Sequence, residues 1–210
     1  MKKSYLGGYL LGILATLVSI TFFDRTVATF AYEHQLRGDV FKAMTWPADL
    51  LQILVAVLLV ACLSKPWRQR VAGRVSTLLI ALSFAWAARL FTKLAFGRTW
   101  PDTWIDNNPS WLQNGIEGFF PFTGGKAYSA FPSGHALVTF ALATVFWHTA
   151  PKYRWLWSLS CLSLMAGMLG QYYHYLGDLL AGATLGCFCG HMAIALKHRI
   201  RRSKNDSYCQ

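Results

Sequence analysis

Two histidines carry the chemistry this chain offers, and each sits in a short polar break between apolar stretches. His135 ends the run Phe131-Pro132-Ser133-Gly134-His135, and His174 opens the run His174-Tyr175-Leu176-Gly177-Asp178. Pro-Ser-Gly marks a helix start. Ser133 can cap the first turn or donate its hydroxyl, and Gly134 lets an anion approach the free N–H groups and the positive dipole end. His135 would then stand beside a bound phosphate, able to protonate a leaving alkoxide. The plain alternative is a capped helix with an incidental histidine. His174 and Asp178 are four apart, hence neighbours on a helical segment. An aspartate accepting from one imidazole nitrogen fixes the tautomer and leaves the other lone pair free to attack phosphorus. Such a pair also serves purely structural roles. As a metal site it is poorly equipped, because only His135 joins it and His34 lies in a separate loop. Lys93 and Arg98 add positive charge near the end of a third apolar stretch, where snorkelling to headgroups is the competing reading. Arg89 is a turn deeper, open to pairing with an acid or with bound phosphate.

Apolar segments must position these residues. Of 210 residues, 54% are hydrophobic and 14% charged, too apolar for an ordinary soluble domain. Six stretches nearly free of charge read as spanning helices: 5–23, 49–64, 75–96, 132–150, 155–173 and 177–196. The expected fold is an all-α polytopic membrane protein, one domain over 1–210 with six transmembrane helices. The segment 24–48, mixing charges and aromatics, suits a helix lying at the interface. The segment 97–131, rich in Trp and Phe, suits the headgroup level, with some rings lining the mouth for a lipid headgroup. Gly182, Gly186 and Gly190 recur at four-residue spacing, as do Gly8 and Gly12, and such faces let helices approach closely.

The net charge of +11 is informative through its placement. With a cytoplasmic N-terminus and alternating spans, the inner segments hold thirteen of the twenty basic residues and one acid, Asp206. The set runs from Lys2 and Lys3, through Lys65–Arg74, Lys152 and Arg154, to Lys197–Lys204. This positive-inside bias orients the protein, meets anionic headgroups and excludes a nucleic-acid partner. The first stretch reads as a retained anchor rather than a cleaved signal peptide. No cysteine falls in an outer segment, so no disulfide framework is expected. The pattern suits a bacterial inner membrane with both termini cytoplasmic. The ends bearing Lys93–Arg98, Pro132–His135 and His174–Asp178 then share the outer, periplasmic face. Charge bias and motif position are independent, so their agreement carries weight.

Lys93-Leu94-Ala95-Phe96-Gly97-Arg98-Thr99-Trp100-Pro101, then Pro132-Ser133-Gly134-His135, then His174-x3-Asp178 resembles the three-part signature of the type 2 phosphatidic acid phosphatase family. These are six-helix membrane lipid phosphatases sharing a site plan with vanadium haloperoxidases. The resemblance covers roughly residues 90–190. It implies His174 as nucleophile through a phosphohistidine, Asp178 as its orienter and His135 as general acid. It also implies Lys93, Ser133 and the Gly134 backbone as phosphate ligands, with no metal or cofactor. The implied substrate is a membrane lipid phosphate: phosphatidic acid, phosphatidylglycerol phosphate, an isoprenyl diphosphate or a glycolipid phosphate. This sequence departs from the pattern twice. Trp100 occupies the arginine position of the first motif, and Gly167 and Met168 stand where the third motif has Ser-Arg. Arg98, Arg89 or Gln171 would have to compensate. A lipid phosphotransferase shares the same first half-reaction, and a non-catalytic lipid-binding or transport protein is the reading that the missing arginines favour.

Overall fold

The computed structural model describes residues 3–105 and 107–207, with the backbone alone for Lys3, Ser4 and 204–207. Lys2 and Cys209 lie outside the described residues, as do the side chains of Lys3, Lys204 and Asp206. The described residues form helices joined by loops, with two isolated bridges and no strand among them. Helix α1 (Lys3–Val18) passes through a π-helical turn, Ser19–Phe23, into α2 (Asp24–Glu33). Then come the short α3 (Asp39–Ala43), α4 (Pro47–Ala61), the long α5 (Lys65–Phe96) and the single turn α6 (Trp111–Asn114). Helices α7 (Gly134–Thr149) and α8 (Arg154–Gly170) come next, and α9 (Leu176–Ser207) ends the described chain.

Among the described residues, four segments are long and apolar enough to cross a membrane: Tyr5–Glu33, Asp39–Ala61, Lys65–Phe96 and Leu176–Ser203. The expected six are thus met in four. Helices α7 and α8, with 16 and 17 residues, reach only about 25 Å at 1.5 Å per residue, short of a hydrocarbon core about 30 Å thick. The segment 24–48 is not a separate interfacial helix. Its first part continues α1 and its last part leads into α4. Around the bundle Leu10, Leu14, Val57, Leu90 and Phe91 are exposed. A solvent of lipid explains this outer surface, because water would make so large an apolar surface a site of association. The protein is an integral membrane protein.

Helix α7 is apolar all round and is buried by its neighbours. Leu137, Ala141, Leu142 and Val145 are fully buried, against Leu78, Ala81 and Ala85 of α5 and Ala193 of α9. The glycine stripe brings α9 close. A Cβ at Gly182 would lie 2.6 Å from the Ser133 carbonyl oxygen, and one at Gly190 would lie 2.7 Å from Thr144 Cβ. Gly12 of α1 packs against Thr184 of α9, while Gly8 faces open space. The stripe is therefore used inside the bundle.

Arg74, near the start of α5, donates to the Thr149 carbonyl at the end of α7, 3.0 Å away. This fixes one end of the bundle, where the basic residues gather. The end of α5, the start of α7 and the α8–α9 junction meet at the other end.

Candidate active site

Each segment arrives by a readable local device. Helix α5 stops at Gly97, whose φ of +57° is left-handed, a conformation that a residue with a side chain adopts at a cost. A Cβ there would also run into the Phe120 carbonyl. Helix α7 starts as its sequence predicts, with the Ser133 hydroxyl accepting from the Ala136 N–H at 3.4 Å. The first-turn N–H groups of Gly134 and His135 have no intrahelical acceptor and face outward along the axis. Ser133 N–H donates to the Asp178 carbonyl at 3.0 Å, so the two histidine segments are bonded to each other.

A cavity of about 440 Å³ is lined by Arg89, Lys93, Gly134, His135, Met168 and His174. Trp100, Trp104, Ile105, Lys126, Ser129 and Tyr173 complete its wall, and no carboxylate lines it among the described residues. His135 is exposed at its surface, whereas His174 is buried at 4% exposure. His174 Nδ1 lies 3.4 Å from Asp178 Oδ2, which also accepts from the Tyr175 N–H at 3.1 Å. Burial pulls the His174 pKa below the ordinary imidazole range, although Asp178 pushes the other way. A neutral ring that gives its Nδ1–H to Asp178 keeps its lone pair on Nε2, and the Ala130 carbonyl is a second hydrogen-bond acceptor for the ring. Lys93 donates its ammonium to the Ser129 carbonyl and sits 5.4 Å over the Trp100 ring.

Of the residues expected from the sequence, the structure brings Lys93, Gly134, His135 and His174 around this cavity, with Asp178 directly behind His174. Ser133 lies under it as a helix cap, fully buried. Arg98 is a correction. Its guanidinium does not face the cavity: Nη1 lies 2.7 Å from both Asp178 Oδ1 and Asp24 Oδ2, and Nη2 lies 2.7 Å from Glu117 Oε1. Burial works against its charge, yet Asp178, Asp24 and Glu117 outweigh it and raise the pKa. An arginine buried among three carboxylates and absent from the cavity wall is not placed to meet a phosphate there. Gln171 is also corrected, because its amide donates to the Gly38 carbonyl at 2.6 Å and does not line the cavity.

Three residues that the sequence left without a role belong here. Arg89 lies against the start of α7, where a Cβ on Gly134 would come within 2.7 Å of its Nε. Among the described residues no carboxylate pairs with Arg89, and only the Trp86 ring, at 4.8 Å, receives its charge. The signal was present in the spacing: 89 and 93 share one face of a helix. Trp100, in place of the family arginine, packs its ring 5.0 Å from that of His174 and donates its indole N–H to the Lys126 carbonyl at 2.7 Å. Asp24, a buried acid in the spanning segment Tyr5–Glu33, is the kind of residue that marks function in a membrane helix.

Known proteins resemble this chain in sequence and in fold. The chain is 33% identical to the lipid A 1-phosphatase of Rhizobium johnstonii over 99 residues, 46% of this chain and 36% of the relative. It is 34% identical to that of Rhizobium etli over 97 residues, 45% of this chain and 38% of the relative. The match therefore spans little more than a third of those curated relatives. The crystal structure of Aquifex aeolicus LpxE aligns with a TM-score of 0.53 and 18% identity, covering 76% of this chain and 88% of that one. A PAP2 type phosphatidylglycerolphosphate phosphatase from Bacillus subtilis aligns with a TM-score of 0.57 and 17% identity, covering 94% and 96%. At these identities the likeness is one of fold. A family model matches residues 49–202, the greater part of the chain, and by that match the chain belongs to the PAP2 superfamily.

Proposed function

We propose that the protein is a membrane phosphatase that removes a phosphoryl group from a lipid phosphate or diphosphate at the periplasmic face, through a phosphohistidine on His174. The observation that carries this reading is one cavity holding an Asp178-backed neutral His174, an exposed His135, and the cations Arg89 and Lys93 with no lining carboxylate.

The steps follow the plan that the family resemblance implies, and the geometry supports them. The phosphate sits against the α7 N-terminus, held by the Gly134 backbone, Lys93 and Arg89. Its arrival places phosphorus in front of the His174 Nε2 lone pair. The N–P bond forms as the P–O bond to the lipid breaks, and His135 gives its proton to the leaving oxygen. Asp178 accepts from Nδ1–H and stabilises the positive ring. Water then attacks phosphorus, His135 takes the proton, and the N–P bond breaks to release phosphate. The fixed cations and N–H groups supply the transition-state stabilisation, so the steps call for no metal. Arg89 takes the part that the family assigns to the arginines missing at Trp100 and Met168.

The relatives' name makes a phosphorylated glycolipid the first substrate to test, beside phosphatidylglycerol phosphate, phosphatidic acid and an isoprenyl diphosphate. Detergent-purified protein is expected to release phosphate from at least one of these, and His174→Gln to abolish that release. A wild type silent on the whole panel would favour lipid binding without catalysis. Full activity in His174→Gln would remove the nucleophile. Transfer to an added lipid alcohol, with no free phosphate, would make it a phosphotransferase.

A further inference from the structure

We propose that Asp24, on the N-terminal helical segment, is a positioning residue that acts through Arg98 to hold Asp178 and so orient His174. Asp24 precedes residues 49–202, the part matched by the family model, and no motif of the chain includes it. It is 1% exposed. The π-helical turn Ser19–Phe23 ends at its N–H, which donates to the Ser19 carbonyl. An extra residue in one turn rotates the rest of the helix about its axis, and here it leaves Asp24 aimed inward. Its Oδ1 accepts from the Ser19 hydroxyl at 2.7 Å and from the Gly177 N–H at 2.7 Å. Its Oδ2 is held by Arg98 Nη1 at 2.7 Å, an ion pair rather than an aligned hydrogen bond. Gly177 adjoins Asp178, so Asp24 grips the start of α9 twice, once through the backbone and once through the guanidinium. Gly177 leaves no room for a side chain, because a Cβ would meet Asp24 Oδ2 at 2.7 Å.

Arg98 is the hub. Glu117 takes its other edge and is itself paired with the half-exposed Arg25 at 2.9 Å, and the Tyr175 ring covers the guanidinium 4.2 Å away. Asp24, Asp178 and Glu117 bring three negative charges against the two positive charges of Arg98 and Arg25. One negative charge therefore remains in surplus behind a neutral His174. That surplus stabilises the ring once it becomes cationic on bonding phosphorus. The charged and titratable groups around the cavity that His174 lines are Lys93 and Arg89 of α5, Lys126, His135 of α7 and Tyr173, with Asp178 of α9 behind the ring and the Ala130 carbonyl beside it. Among the described residues no carboxylate lines the cavity, so the negative charge that faces the ring is that of Asp178 and the acids behind it.

This role rests on the phosphatase reading, and the test separates the two. Asp24→Asn keeps acceptors for Gly177 and Ser19 but removes the charge. Its kcat is expected to fall about tenfold with KM within about twofold, the mark of an interaction made in the transition state. The acid limb of kcat/KM moves to lower pH, because loss of a nearby negative charge disfavours protonated His174. Glu117→Gln, which removes a charge from the same guanidinium, should shift the limb the same way and serves if Asp24→Asn does not fold. Asp24→Glu should restore the limb. In parallel, the pH dependence of His174 carbethoxylation by diethyl pyrocarbonate, read by peptide mass spectrometry, reports the same titration without turnover. Wild-type kcat and an unmoved titration in Asp24→Asn and Glu117→Gln would overturn the relay. A shifted titration in protein that releases no phosphate would keep the relay and remove the phosphatase.

Discussion

At the scale of single residues, Arg98 does not take the cavity-facing place expected of it, and Arg89, left open between an acid and a phosphate, does. Arg89 is half-buried, without a carboxylate partner among the described residues, and beside Gly134 and Lys93. Arg98 is fully buried with three carboxylates. Their truncations should therefore fail differently. Arg89→Ala is expected to lower kcat/KM by about a hundredfold or more, as loss of a preorganised donor to a developing charge does, with little change in thermal stability. The exposed Lys42→Ala is the control. Arg98→Ala should unfold at a markedly lower temperature in detergent, since removing one partner of a buried ion pair costs about 3–5 kcal/mol. A stable Arg98→Ala with normal turnover would contradict this division. The pH profile belongs to His174. Its pKa is lowered by burial, so the proposed nucleophile stays neutral until the pH falls below the usual imidazole pKa of about 6.5. The acid limb of kcat/KM should lie below that value; a limb above it would contradict the buried, neutral ring.

At the scale of elements, the glycine stripe of α9 sets the distance to α7, and through it the distance from His174 to His135. Gly186 faces the Leu137 carbonyl and Phe140 Cβ. Gly186→Leu is expected to destabilise the bundle by about 1–3 kcal/mol, as overpacking does, read as a lower unfolding temperature. The same stripe shows what was legible in the sequence. The Ser133 cap, the helix starting at Gly134, the close face of α9 and the pairing of His174 with Asp178 all come from local patterns. Two things do not. The break after Phe23 reads as a span's end because Asp24 and Arg25 are charged, yet both charges are neutralised by partners far along the chain, Arg98 and Glu117. The environment of Arg98 is equally non-local, because residues 24, 117 and 178 converge only in the folded bundle. Spacing reports which residues share a helix face; it carries no record of which distant acids will meet there.

At the scale of the whole molecule, the basic residues near Arg74, Lys152 and Arg154 lie at one end and the cavity at the other. On the proposed orientation, positive-inside bias would direct the cavity outward. In a protein whose five cysteines are replaced, Lys126→Cys should react with a membrane-impermeant maleimide in intact cells, and Lys152→Cys only after permeabilisation. The reverse pattern would turn the molecule over and place the site in the cytoplasm. The phosphatase reading depends on a covalent N–P bond at one imidazole, and rapid quenching of the enzyme with a labelled lipid phosphate reads that bond. Base-stable, acid-labile label on the peptide bearing His174, absent from His174→Gln, is the predicted result. Label on another residue, or turnover without any labelled protein, would contradict it.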